Sequence, residues 1–326
     1  MRLIGIGGSG RHGLGPVSAR KEFAMALATL IAGPTASGKS ALAMAWAERD
    51  SATVVNADSM QVYADLRVLS ARPSPEDEAR VPHRLFGFVP AGEEFSVGRY
   101  LAHVTPIIVE ARKAGTKLVL VGGTGLYFRA LTEGLMPSPP IDADIRAEWR
   151  ARAAAGEDLH AALQARDPVR ATALHPQDTP RLLRAIELFE STGRTYTEWL
   201  AENPGEPVLH AGEWEGVFLD PPREALHARI DQRFEAMMRG GALEEVAGLL
   251  AHQPPLPPNL GVMKAHGVPH LARLIRGGIG RDEAVRLSQQ DTRAYARRQV
   301  IFARRYLAGE HWRWVGSAEA ALTPPR

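Results

Sequence analysis

The 326-residue chain contains no cysteine, which excludes disulfides and thiolate-ligated metal centres and fits a reducing compartment. No apolar run approaches the ~20 residues of a membrane span, and the N-terminus lacks a signal-peptide core. A soluble, cytoplasmic protein with no membrane partner is expected. Aromatic residues are scarce at 6%, yet 45% hydrophobic composition supports a core and excludes disorder throughout. Neither charge sign dominates, since the net charge is only +2. Lysine is missing from Asp142 to Glu206, where 8 Arg stand against 12 acidic residues; Arg281 to Arg313 carries 8 Arg against 4 acidic ones. The C-terminal segment is therefore the better candidate for contacts with a polyanion. The 11 His have no metal-ligand spacing, so none is assigned to a metal.

What is present begins with Gly33-Pro34-Thr35-Ala36-Ser37-Gly38-Lys39-Ser40, two glycines five apart followed by Lys and Ser. An apolar run, Ala28 to Ala32, precedes it and good helix formers follow, which is the context of a phosphate-binding loop. Such glycines let backbone N–H groups approach phosphate oxygens at a helix N-terminus, Lys39 supplies a mobile charge, and Ser40 offers a hydroxyl to Mg²⁺. The usual ligand of such a loop is a nucleotide such as ATP, but the loop alone specifies only a phosphorylated ligand. Gly5-Ile6-Gly7-Gly8-Ser9-Gly10 formally matches a dinucleotide pattern, but only Leu3 and Ile4 precede it and no helix can follow. Residues 1–22 are expected to form a flexible extension.

Short β-type runs, Thr53 to Ala57 and Lys117 to Val121, alternate with helical stretches such as Val97 to Ala114. The expected fold is α/β, a P-loop parallel-sheet core with helices on both faces. Pro-rich Met136 to Pro140 interrupts it, and Asp142 to Leu200 reads as helices with Asp142, Asp158 and Asp178 near their starts. Val217 to Asp220 returns to the sheet, and after Pro254 to Pro258 only helices are expected. The expected organisation is a core of 23–140 and 211–326 with a helical insertion domain at 141–210.

Asp58, at the end of the second run, is suited to a general base or a water-bridged Mg²⁺ ligand, or equally to a helix N-cap. Thr124, in a Gly-Gly-Thr-Gly turn, can bond a reacting group or merely its own turn. Arg229 and Arg233 share a helical face, which suits a diphosphate, although solvated arginines are commoner. In the last helix Tyr295, Phe302 and Tyr306 form one face, packed inward, while Arg293, Arg297 and Arg304 form an outward stripe. That stripe suits nucleic-acid phosphates or a solvated surface.

In order along the chain, the phosphate loop, Asp58-Ser59-Met60-Gln61-Val62-Tyr63, Pro82-His83-Arg84, Gly122-Gly123-Thr124-Gly125-Leu126-Tyr127-Phe128, Arg229-Ile230-Asp231-Gln232-Arg233-Phe234 and Thr292-Arg293-Ala294-Tyr295-Ala296-Arg297-Arg298-Gln299 together resemble the tRNA dimethylallyltransferase family. One departure is Ser40, where many relatives have Thr; the hydroxyl is kept. The resemblance implies transfer of a dimethylallyl group from dimethylallyl diphosphate to N6 of adenosine 37, in the anticodon stem-loop of tRNA, by a monomer using Mg²⁺. It implies Asp58 as base and Thr124 at the reacting centre. Gly33, Pro34, Thr35, Ala36, Ser37, Gly38, Lys39, Ser40 and Arg233 would hold the diphosphate, with Ser40 on the metal. Asp58, Ser59, Met60, Gln61 and Thr124 would contact tRNA. So would Arg146, Pro180, Arg181, Leu182, Leu183 and Arg184 in the insertion, and Met263, Lys264, Ala265, His266, Gly267 and Val268 nearer the C-terminus. A small-molecule kinase, or an RNA-binding module with a vestigial loop, are the alternatives the residues themselves leave open.

Overall fold

The computed structural model describes residues 26–322, so the expected N-terminal extension and the residues from Phe23 to Met25 lie outside the described residues. The described strands are β1 (Ala28–Ala32), β2 (Thr53–Asn56), β3 (His83–Arg84), β4 (Leu118–Gly122), β5 (Trp214–Leu219) and β6 (Trp312–Val315). They form one parallel sheet in the order β3-β2-β4-β1-β5-β6. Alternate side chains point to opposite faces. Leu30, Leu120 and Phe218 therefore pack on one face with helices α3 (Val97–Ala114) and α4 (Gly125–Glu133), while Ile31, Val119, Val121 and Val217 pack on the other with α1 (Lys39–Asp50). Ser96 caps α3 by accepting from the Arg99 N–H, and the helix stops at left-handed Gly115. The short α2 (Pro75–Arg80) starts in a reciprocal capping box between Ser74 and Asp77.

From Ala143 to Glu202 the chain forms α5 (Ala143–Ala154), α6 (Leu159–Gln164), α7 (Pro168–Ala173), α8 (Thr179–Thr192) and α9 (Tyr196–Glu202). The side chains of Asp142, Asp158 and Asp167 cap three of these helices, whereas Asp178 starts α8 without a side-chain bond. Trp149, Leu163, Leu182 and Ile186 give this unit its own apolar cluster. The returning chain already rests on the core at Val208 and Leu209, whose N–H groups donate to the Leu131 carbonyl. Its packing against the core thus begins before the expected boundary at 210.

The remaining helices are α10 (Arg223–Arg239), α11 (Ala242–Leu250), α12 (Val268–Ile275), α13 (Arg281–Tyr306) and α14 (Ala318–Leu322). The expectation of helices alone beyond residue 258 needs correction, because Trp312-Arg313-Trp314-Val315 adds edge strand β6. It exists through tertiary pairing with β5: Gly216 faces Trp312, and a Cβ there would overlap the indole. The two-residue β3 was likewise too short to read.

A second large core joins Val62, Tyr63 and Leu66, just past β2, to Phe234, Met237, Val246, Val262 and Leu271. Glu245 pins it, accepting from the N–H groups of Arg67, Val68 and Leu69 at 2.7, 2.6 and 3.0 Å. Replacing Glu245 with Ala orphans three donors, so thermal unfolding is expected to report about 2–3 kcal/mol of lost stability. An unchanged melting temperature would contradict that anchoring role.

Candidate active site

The phosphate loop connects β1 to α1, at the carboxyl edge of the sheet where parallel α/β folds hold ligands. A Cβ at Gly33 would crowd the Ser37 hydroxyl and the Leu219 carbonyl, and Gly38 has φ +94°. Ala36 also takes a left-handed conformation, φ 63°. The fold therefore holds this loop in a turned-in shape that few other sequences would adopt. Lys39 is 8% exposed, and its ammonium donates to the Pro34 carbonyl at 3.1 Å. Burial lowers its pKa to about 8, against the pull of Asp58 and with a further push from Arg233.

Asp58 is not a helix cap, for turns rather than a helix follow it. The fully buried Asn56 fixes its backbone: Asn56 Oδ1 accepts from the Asp58 N–H at 2.8 Å, and Nδ2 donates to the Asp58 and Leu85 carbonyls at 3.0 Å each. The carboxylate accepts from the Met60 N–H at 2.9 Å and from the Gly123 N–H at 3.3 Å. Thr124 Oγ1 accepts from the Ser59 N–H at 2.9 Å and donates to Ser59 Oγ at 3.2 Å, leaving α4 without a side-chain cap. Close passage of β4 past Ala57 needs Gly122, whose Cβ would overlap the Ala57 carbonyl.

Helix α10 brings Arg233 to the same place, where its guanidinium donates to Thr35 Oγ1. Burial lowers its pKa while Asp58 opposes the shift. The four residues singled out at separate strand and helix ends thus converge: Lys39 and Arg233 both feel the Asp58 carboxylate, and Thr124 follows the Gly123 whose N–H holds it. A cavity of about 50 Å³ is lined by Thr35, Asp58, Met60, Arg233, His266 and Tyr295. Lys39, Ser40, Gln61, Arg72, His83 and Gly122 line a second, of about 440 Å³. The arrangement puts a glycine-containing loop and two buried cations beside one carboxylate.

A model of the IPP transferase family matches residues 61–306, and one of isopentenyl transferases matches residues 26–86. The chain belongs to the IPP transferase family. The tRNA dimethylallyltransferase of Methylocella silvestris is 53% identical over 295 residues, which cover 90% of this chain and 96% of that protein. Its counterpart from Rhodopseudomonas palustris is 50% identical over 296 residues, covering 90% and 92%. A solved eukaryotic dimethylallyltransferase acting on tRNA superposes with TM-score 0.73 at 25% identity, over 85% of this chain and 69% of that one. A full-length tRNA isopentenylpyrophosphate transferase from Bacillus halodurans gives 0.62 at 28% identity, over 88% and 89%.

Elsewhere in this IPP transferase the expected site residues fare unevenly. Arg229 does not join Arg233; it is exposed and acts on Glu319 instead. In the insertion Arg181 and Pro180 are exposed, Arg146 meets Glu187 at 3.9 Å, and Arg184 donates to Ser138. Leu183 is half-buried, but Leu182 is fully buried in the insertion core, so its side chain offers nothing to a ligand. Within Met263 to Val268, Lys264 is exposed, His266 and Ala265 line the small cavity, and Val268 is buried core.

The aromatic face of α13 also differs from expectation. Phe302 packs inward against Gly125, but Tyr295 turns to the site, its ring tilted at 43° with its centroid 4.5 Å from that of His266, and it feels the Asp58 charge. On the other face Arg297 is exposed, Arg304 reaches Asp220 at 3.4 Å, and Arg293 is tied to Asp231. These arginines line a groove with Arg223 and Arg298. Sequence reasoning gave no role to Asn56, whose partners Asp58 and Leu85 are set by the fold. No described helix is long and apolar enough to cross a membrane.

The Lys39 ammonium loses its proton as pH rises through about 8, and a bound polyanion would hold that proton on. Affinity for inorganic diphosphate, measured by calorimetry, should therefore weaken above about pH 8, and Lys39→Met should abolish most of that dependence. Constant affinity from about pH 7 to 9.5 would contradict it.

Proposed function

We propose that this protein transfers a dimethylallyl group from dimethylallyl diphosphate to N6 of adenosine 37 of tRNA, releasing diphosphate. The observation that carries this reading is the Asp58 carboxylate, held by the Met60 and Gly123 N–H groups and set against the buried cations Lys39 and Arg233. An aryl amine is a weak nucleophile, and Asp58 takes its proton as the N6–C bond forms. The C–O bond to the diphosphate breaks at the same time, and its electron pair goes to the diphosphate oxygen. Lys39, Arg233 and the loop N–H groups at the start of α1 stabilise that developing charge. Thr124, one residue from the amide that holds Asp58, hydrogen-bonds at the reacting centre.

The donor chemistry of the loop suits Mg²⁺ through Ser40, whose exposed hydroxyl lines the cavity it shares with Lys39. Among the described residues no three His, Cys, Asp or Glu side chains cluster, so substrate phosphate oxygens and water would complete the shell. Bound there, the ion would neutralise diphosphate charge.

A stacked adenine cannot reach Asp58, so the base flips out of the anticodon loop at a cost of a few kcal/mol, on the order of other flipped bases. The insertion grips the anticodon stem. Three of its acidic residues are held in ion pairs, Glu157 with Arg152, Glu190 with Arg166 and Glu202 with Arg194. Glu187 is buried among Arg146, Arg150 and Arg184, which leaves arginine at that surface for phosphates. The protein works as a monomer in the cytoplasm with its tRNA.

Asp58→Asn should lower single-turnover transfer by about 10²–10⁴-fold while tRNA affinity stays within about threefold. Wild-type turnover in that variant would remove Asp58 from the role of base.

A further inference from the structure

The Gln299 side chain lies 8% exposed in the middle of α13 and spans the gap between the two halves of the site. Its Oε1 accepts from the Thr35 N–H of the phosphate loop at 2.9 Å, and its Nε2 donates to the Gly123 carbonyl at 2.8 Å. Gly123 in turn gives its N–H to Asp58. A Cβ at Gly123 would overlap Gln299 Nε2, so the glycine is what lets the amide approach so closely. One turn back along α13, Tyr295 lines the small cavity and lies beside Gln299 and Thr124. A single carboxamide thus joins the loop that holds the leaving group to the turn that holds the base.

We propose that Gln299 is a positioning residue that sets the separation between the diphosphate cradle and the Asp58–Thr124 turn, and so the alignment of the N6–C and C–O bonds during transfer. The chemistry demands this residue type. One partner is a donor and the other an acceptor, and only a neutral carboxamide of this length answers both. Glutamate keeps the bond from Thr35 but sets an acceptor against the Gly123 carbonyl; methionine fills the space and satisfies neither group. Neither variant removes a group that binds substrate, so ground-state binding of tRNA should persist while alignment fails.

The inference rests on the transfer reaction proposed above, so wild-type protein with dimethylallyl diphosphate and unmodified tRNA is the first arm; no prenylated RNA there would sink that reaction reading itself. With wild type active, Gln299→Glu and Gln299→Met should each lose about 100-fold in kcat, as expected for roughly ångström-scale misplacement. The KM of the uncharged Gln299→Met for dimethylallyl diphosphate, and the affinity of both variants for tRNA, should stay within about threefold of wild type, while the carboxylate of Gln299→Glu also raises KM for the diphosphate. Protonating the glutamate restores a donor, so the ratio of Gln299→Glu to wild-type kcat should rise as pH falls from about 8 to about 5.5. Should Gln299→Met fail to fold, Gln299→Glu alone decides. The proposal is overturned by kcat within about threefold of wild type in a folded variant, by a loss confined to KM, or by a flat variant-to-wild-type ratio across that pH range.

Discussion

Two desolvated cations facing one carboxylate are the constraint on which the site depends. Burial drives the pKa values of Lys39 and Arg233 down, and for both the opposing pull comes from Asp58. Buried charge is costly unless it is paired and hydrogen-bonded. Lys39 meets this demand with the Pro34 carbonyl and Arg233 with Thr35, neutral partners that a polyanion would better. The imbalance suits this loop to a multiply charged group. It also explains why α10 must be packed so firmly, through Phe234 and Met237 in the second core, since it delivers one of the two cations.

Asp58 sits at the meeting point of three separate demands. Asn56 fixes its backbone, the Gly123 N–H fixes its carboxylate, and the cations hold it near the anion cradle. The parallel sheet supplies the first two because β2 and β4 are neighbours and both end at the same edge. Helix α13 supplies the remainder by laying Tyr295 and Gln299 across that edge. Prenyl transfer needs a base and a leaving-group holder within one bond-forming distance, and these contacts tie the two to a common frame.

The phosphate loop, Asp58, Thr124 and Arg233 were legible because their chemistry is local: glycines at strand ends, a carboxylate after a β-type run, a hydroxyl in a tight turn. The alternation of strands and helices was legible for the same reason. What escaped depends on tertiary contact. Gln299 lies 264 residues from Thr35, and nothing in its own helix marks it apart from its neighbours. Strand β6 becomes a strand by pairing with β5, and Trp312 fits there only because Gly216 lacks a side chain. Helical periodicity grouped Arg229 with Arg233, yet one is exposed and the other reaches the loop. It equally put Tyr295 with the core-facing Phe302, although about two turns of helix carry the face from the small cavity to the packing surface. Leu182 and Val268, taken with their motifs to contact RNA, are buried: the first lies on the inward side of α8, and the second opens α12 inside the second core.

The central claim is that the loop holds a departing diphosphate and transfers no phosphoryl group. The most direct measurement incubates the protein and unmodified tRNA with dimethylallyl diphosphate labelled separately in the prenyl carbon and in the phosphates, with labelled ATP in a parallel reaction. The account predicts prenyl label on the RNA, one diphosphate released per group transferred, and ATP left intact. Phosphate label on any acceptor, or ATP consumption without prenylated RNA, would contradict it.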